Sequence, residues 1–152
     1  MEEMFYHNNR MSITLEGLIG QCADFDEFER TCSAEMLRDD CRIGNYLAEL
    51  LYKYDRKAAV VSVEAMLAPA YVGNIINGKR NNPSRDALIR ICLAIGASVE
   101  ETQYLLKYGG YAPLYVRRKR DVIIWFGLMK GEGLDIVNEN LTGRGLRPLY
   151  SE

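Results

Sequence analysis

The chain contains one histidine, His7, and that scarcity narrows the chemistry at once. With no second imidazole, no serine or cysteine beside a recognisable base, and abundant carboxylates that fall in no catalytic pattern, no enzymatic role is expected. Cysteine is limited to Cys22, Cys32, Cys41 and Cys92, none closely paired. Zinc sites and disulfide frameworks need tighter spacing, so the expectation is reduced thiols, no metal and no other cofactor. Long apolar runs are also missing. None approaches the roughly 20 residues that cross a bilayer, and Met1 to Arg10 is acidic and polar where an export signal would be basic and then apolar. A cytoplasmic chain with no membrane partner is the expectation.

What is present is a foldable composition: 152 residues, 48% of them apolar and 26% charged. That balance supports one packed core in a single domain of ordinary size. The net charge of −2 conceals a strong division along the chain. Residues 1–41 hold three basic and ten acidic side chains, residues 42–120 thirteen basic and six acidic, and residues 121–152 three basic and five acidic. A basic middle of net +7 lies between an acidic start of net −7 and a mildly acidic end. Such asymmetry reports on partners, and a basic centre points to an anionic one.

The periodicity is helical throughout. Short amphipathic helices are expected at residues 13–20 and 24–38. From Ile43 to Tyr54 the apolar residues Ile43, Tyr46, Leu47, Leu50, Leu51 and Tyr54 repeat at helical spacing. A second helix is expected over Lys57 to Val63. A third is expected from Ala68, with Pro69 in its first turn, to Asn77 and the closing Gly78. Ser84 can cap a helix running to Ile95 and Gly96, and Ser98 with Glu101 forms a capping box that opens a helix to Tyr108. Tyr104, Tyr108, Tyr111 and Tyr115 sit at helical and turn spacing and read as packing residues.

The last helical pair recurs. Shifting the sequence by 35 positions aligns residues 85–115 with 120–150 without a gap and with ten identities, among them Arg85/Arg120, Asp86/Asp121, Gly96/Gly131 and Leu114/Leu149. A duplicated hairpin is expected, each copy burying an apolar face of the other, as in repeat proteins. Arg120, in the run Arg117-Arg118-Lys119-Arg120, is expected to pair with Asp121 or Asp86.

Residues 65–114 resemble the lambda-repressor-like, XRE-type helix-turn-helix family. The likeness rests on Tyr71-Val72, Ile75, Asn77-Gly78-Lys79-Arg80, Pro83-Ser84 and the Leu-Ile helix that follows. It implies an all-α protein: a five-helix repressor-like core over 42–115, an N-terminal helical extension over 1–41, and a duplicated hairpin over 116–152 packed on the core. It also implies a transcriptional regulator, working as a homodimer on double-stranded DNA, with helix 68–77 in the major groove. The reading positions would be Pro69, Ala70, Tyr71 and Asn74, with Lys57, Asn77, Lys79, Arg80, Asn81 and Arg85 clamping phosphates.

Proline and alanine cannot make the bidentate hydrogen bonds that discriminate bases. Ala58 also stands where such proteins often place a backbone-contacting glutamine. A protein-interaction adaptor that keeps the fold and has lost base reading is therefore the alternative.

Overall fold

The computed structural model describes residues 15–80 and 82–149. The chain divides into two units, one ending at Asp40 and the other beginning at Cys41. All regular structure among the described residues is helical, with no strand, and no helix among them is long and apolar enough to cross a membrane.

The first unit holds helix α1, described over 15–21, and α2, Phe25–Cys32. Asp24 caps α2 by accepting the Glu27 N–H at 2.9 Å, and the Glu27 carboxylate accepts the Ala23 N–H at 2.8 Å. The single helix expected over 24–38 is shorter than that. Cys32 leaves helical geometry at φ −123°, and only a 3-10 turn, Ser33–Glu35, follows.

The second unit begins with α3, Ile43–Lys53, then α4, Ala58–Glu64, α5, Tyr71–Ile76, α6, Arg85–Ile95, and α7, Val99–Tyr108. Buried Leu47, Leu50, Val61, Val72, Ile75, Leu88, Ile91, Leu105 and Leu106 form its core. The expected caps are present. Ser84 Oγ accepts the Ala87 N–H, the Ser98–Glu101 capping box closes in both directions, and Gly96 takes φ +81°. The Glu101 carboxylate also receives Lys53 and Tyr54 from the end of α3, tying that helix to the start of α7. The Tyr46 ring meets those of Tyr104 and Tyr108 at centroid distances of 6.1 and 5.1 Å, so these two tyrosines pack as expected.

The repeat is realised as two hairpins, α6–α7 and α8–α9, the latter spanning Lys119–Lys130 and Leu134–Thr142. Equivalent residues do equivalent work. Gln103 exchanges two hydrogen bonds with the Leu114 backbone, and Asn138, 35 positions later, does the same with Leu149. Arg85 reaches forward to Asp121, at 3.3 and 3.1 Å, while Arg120 reaches backward to Asp86, at 3.0 and 2.8 Å. Each guanidinium also donates to two carbonyls in its own copy, Ala112 and Pro113 for Arg85, Arg147 and Pro148 for Arg120.

This reciprocity corrects the repeat-protein expectation. In a translational stack, each copy would present one face to the copy before and another to the copy after. Here both present the same face to each other, which is the self-complementary geometry of a twofold interface, made within one chain. Trp125 is buried midway along α8, while Phe126 is 46% exposed with Lys130 over its ring.

Candidate nucleic-acid interface

The residues singled out by sequence fall at the start of α4, on the approach to α5 and along it, and in the loop that follows, with two displacements. Helix α5 begins at Tyr71, three residues later than expected. The Ala68 carbonyl accepts the Tyr71 N–H at 2.9 Å, which places Pro69 at the second position of a turn, where its fixed φ suits it, and leaves Ala70 as the N-cap. Pro69 and Ala70 are thus exposed residues of the approach to the helix, and Tyr71 and Asn74 are the first polar side chains on it.

The second displacement concerns Arg85. Its guanidinium is spent on Asp121, Ala112 and Pro113, so it serves the hairpin interface where a loose phosphate clamp was expected.

Tyr71, Asn74, Asn77, Lys79 and Arg80 are tied together along α5 and the loop after it. Arg80 stacks its guanidinium over the Tyr71 ring at 4.3 Å, and its N–H donates to the Asn74 carbonyl at 2.9 Å, folding the loop back along α5. The Asn77 side chain accepts the Lys79 N–H at 3.1 Å, so that residue shapes the turn, with Gly78 at φ +81° beside it. Lys57, the N-cap of α4, and Lys79 are exposed, and neither has an acidic partner among the described residues. The Asn74 amide likewise makes no side-chain hydrogen bond among the described residues. Asn81 lies outside the described residues.

Three residues that hold α5 in place were not singled out from the sequence. Ser62, fully buried in α4, donates its hydroxyl to the Ala58 carbonyl and accepts the Val72 N–H at 3.0 Å, satisfying one of the orphan donors at the start of α5. Gly44 in α3 lets the backbone of α5 approach closely, since a Cβ there would meet the Ile75 carbonyl oxygen at 2.6 Å.

Arg90 is only 2% exposed and donates to the Met66 carbonyl at 2.6 Å. Met66 turns the chain between α4 and α5 at φ +60°, a conformation that side chains other than glycine rarely adopt, and Arg90 pins it. Burial lowers the Arg90 pKa from its ordinary value, yet arginine stays charged in proteins. A polar residue inside an apolar stretch, as Ser62 is in AAVVSVE and Arg90 in LIRICLAI, is the sequence signal that could have marked both.

Elsewhere the chemistry is spare. Burial pushes the Cys92 thiol up to about 12, so it is inert, and no metal-binding cluster occurs among the described residues. Comparison with models of known protein families, with curated proteins and with solved structures finds no match to this chain.

Proposed function

We propose that this protein is a DNA-binding regulator in which α4 and α5 form a repressor-like helix-turn-helix and α5 enters the major groove. The observation that carries the reading is the cluster around α5. Arg80 and Lys79 follow a short, half-buried helix that carries Asn74 and Tyr71, and Lys57 caps the helix before it, while Ser62, Gly44 and Arg90 hold α5 against the core. Cations without acidic partners are suited to phosphate contacts, which position a protein on the duplex. Asn74 is suited to reading adenine. A second half-site requires a second reading helix, hence a homodimer, and its contact must use a face other than the one that α8–α9 already covers.

A second reading has its own support. The outward side of α4 and the following turn carry Val60, Val63 and Met66, 47%, 58% and 55% exposed, where a helix crossing a phosphate backbone would be expected to be polar. This favours a protein adaptor built on the same fold.

Selection from random duplexes at two salt concentrations separates the two. Under the DNA reading a preferred sequence emerges, and Asn74→Ala costs roughly 1 to 3 kcal/mol on that site and little on random DNA. Lys79→Ala with Arg80→Ala weakens binding to all duplexes alike and flattens the salt dependence by about two units at most. Absence of duplex binding by the unaltered chain overturns the DNA reading and leaves the adaptor.

A further inference from the structure

The run Arg117-Arg118-Lys119-Arg120 is divided by the fold. Arg120 is consumed by Asp86 and two carbonyls. Arg117, Arg118 and Lys119 are exposed and have no acidic partner among the described residues. They line an open cavity of about 780 Å³ together with Tyr115 and Leu146, and Arg85 and Asp121 form part of its wall. Because each Arg–Asp pair is neutral as a whole, the cavity retains three uncompensated positive charges.

We propose that this cavity is a second grip on the phosphate backbone of duplex DNA, adjoining the α4–α5 surface. The inference rests on the DNA-binding reading above and extends it.

Three observations support it. The loops that carry the two sets of cations are stapled together. Tyr111 donates its hydroxyl to the Pro83 carbonyl at 2.7 Å, and Arg85 donates to the Ala112 carbonyl at 3.0 Å, which fixes residues 111–113 beside the segment that follows Lys79 and Arg80.

The cations also run against the helix they adjoin. Positive side chains at a helix N-terminus are destabilising, and Arg118 caps α8 with no side-chain hydrogen bond. The first copy places the capping Ser84 where the second has Lys119. The interface residues of the duplication are therefore retained in the second copy, while a serine that would stabilise the helix gives way to charge. Local rules of this kind are broken where function requires it.

Finally, all three cations sit on exposed arms, and the cavity offers no buried polar side chain besides Asp121 and the arginines already paired. A small phosphorylated ligand needs fixed polar groups to orient it. A duplex backbone needs only charge at the right spacing.

The test compares the unaltered full-length chain, the Arg117→Gln/Arg118→Gln/Lys119→Gln variant and the Lys79→Ala/Arg80→Ala variant. Fluorescence anisotropy on a random-sequence duplex and on a single strand is recorded across a salt series, with thermal melting of each protein as the check on folding. The expected result is a duplex salt slope reduced by up to about 2.7 in the triple variant, at roughly 0.9 for each phosphate no longer neutralised, with a melting temperature equal to or above that of the unaltered chain.

An Arg117→Lys/Arg118→Lys variant keeps the charge and is expected to keep the slope. If the unaltered chain binds the duplex and the triple variant binds with the same slope, the second grip is overturned and the α4–α5 reading stands. A loss confined to the single strand also overturns it. If the unaltered chain binds no duplex, both readings fall.

Discussion

Replacing Asp121 by alanine removes the carboxylate that joins the two hairpins. Its side chain is 5% exposed and accepts three hydrogen bonds, two from Arg85 at 3.3 and 3.1 Å and one from the Tyr115 N–H at 2.9 Å. The substitution leaves the Arg85 guanidinium, 24% exposed, without its counter-charge. Breaking a buried pair from one side costs about 3 to 5 kcal/mol, because the remaining charge stays desolvated. Arg85 keeps the carbonyls of Ala112 and Pro113 and some access to water, so the lower end, about 3 kcal/mol, is expected. For a unit of this size that corresponds to a fall in Tm of roughly 12 °C, at about 4 °C per kcal/mol.

The reciprocal Asp86→Ala acts on a carboxylate that is 20% exposed, so a smaller loss, about 2 kcal/mol, is expected. Urea and thermal unfolding followed by circular dichroism measure both. A loss below about 1 kcal/mol for Asp121→Ala, the range of exposed ion pairs, would refute the reasoning and leave apolar packing alone as the cement between the hairpins.

Three further perturbations probe the placement of α5 and the link from α3 to α7. Gly44→Ala sets a methyl group 2.6 Å from the Ile75 carbonyl oxygen and 2.9 Å from that of Ile76, both backbone, so an overpacking cost of about 1 to 3 kcal/mol is expected in urea unfolding. A change within experimental error would show that α5 can shift freely. Met66→Gly relieves about 1 kcal/mol of left-handed strain and loses a similar amount to chain entropy, so it is near neutral, whereas Met66→Val is expected to destabilise by more than about 1 kcal/mol. Equal effects of the two would refute the strain at φ +60°.

For Glu101, burial raises the carboxyl pKa, but hydrogen bonds from Lys53, the Ser98 N–H and Tyr54 outweigh it and hold the group below its ordinary 4.5. A depressed carboxylate contributes its stability above the unfolded-state pKa and loses it as the pH falls through the folded value. The Tm gap between the unaltered chain and Glu101→Gln should therefore be wide at neutral pH and close below about pH 4.5; a gap that does not change with pH would contradict this.

Much of the fold was legible because its punctuation is chemical and local. Ser84, Gly96 and the Ser98–Glu101 box mark helix ends by hydrogen-bonding patterns that depend on a few adjacent residues, and the 35-residue repeat needs only comparison of the chain with itself. The start of α5 was missed because Pro69 suits a helix's first turn and the second position of a β-turn equally well, and the choice between them is made by the close packing of α3 and α4 against α5. Arg85 was misplaced for a related reason. Its long arm could serve a phosphate or a carboxylate, and only the tertiary placement of Asp121, 36 residues away, decides. Ser62, Gly44 and Arg90 act entirely through contacts between helices, which a helical period cannot display.

The internal twofold also bears on how DNA would be read. The second copy begins at Arg120, so the duplication repeats the hairpin and not the α4–α5 turn, and under the DNA-binding proposal each chain would carry a single reading helix inside the second unit. That helix has six residues, and Pro69 and Ala70 leading into it are exposed while Tyr71, Gly73 and Asn74 along it are half-buried; of these only Asn74 has an amide that can pair bidentately with a base, the Tyr71 ring being covered by Arg80. One such hydrogen-bonded pair is worth roughly 1 to 3 kcal/mol of discrimination, well short of the roughly 4 to 10 kcal/mol that separates specific from non-specific binding. Under the DNA-binding proposal, a single chain should therefore bind with an affinity that falls steeply with salt and depends weakly on sequence, and appreciable specificity should appear only where two reading helices act together. Covering the self-complementary hairpin face within the chain removes that face from dimer formation. The two properties are then controlled separately: phosphate grip by the cations of one chain, and sequence discrimination by whatever joins two.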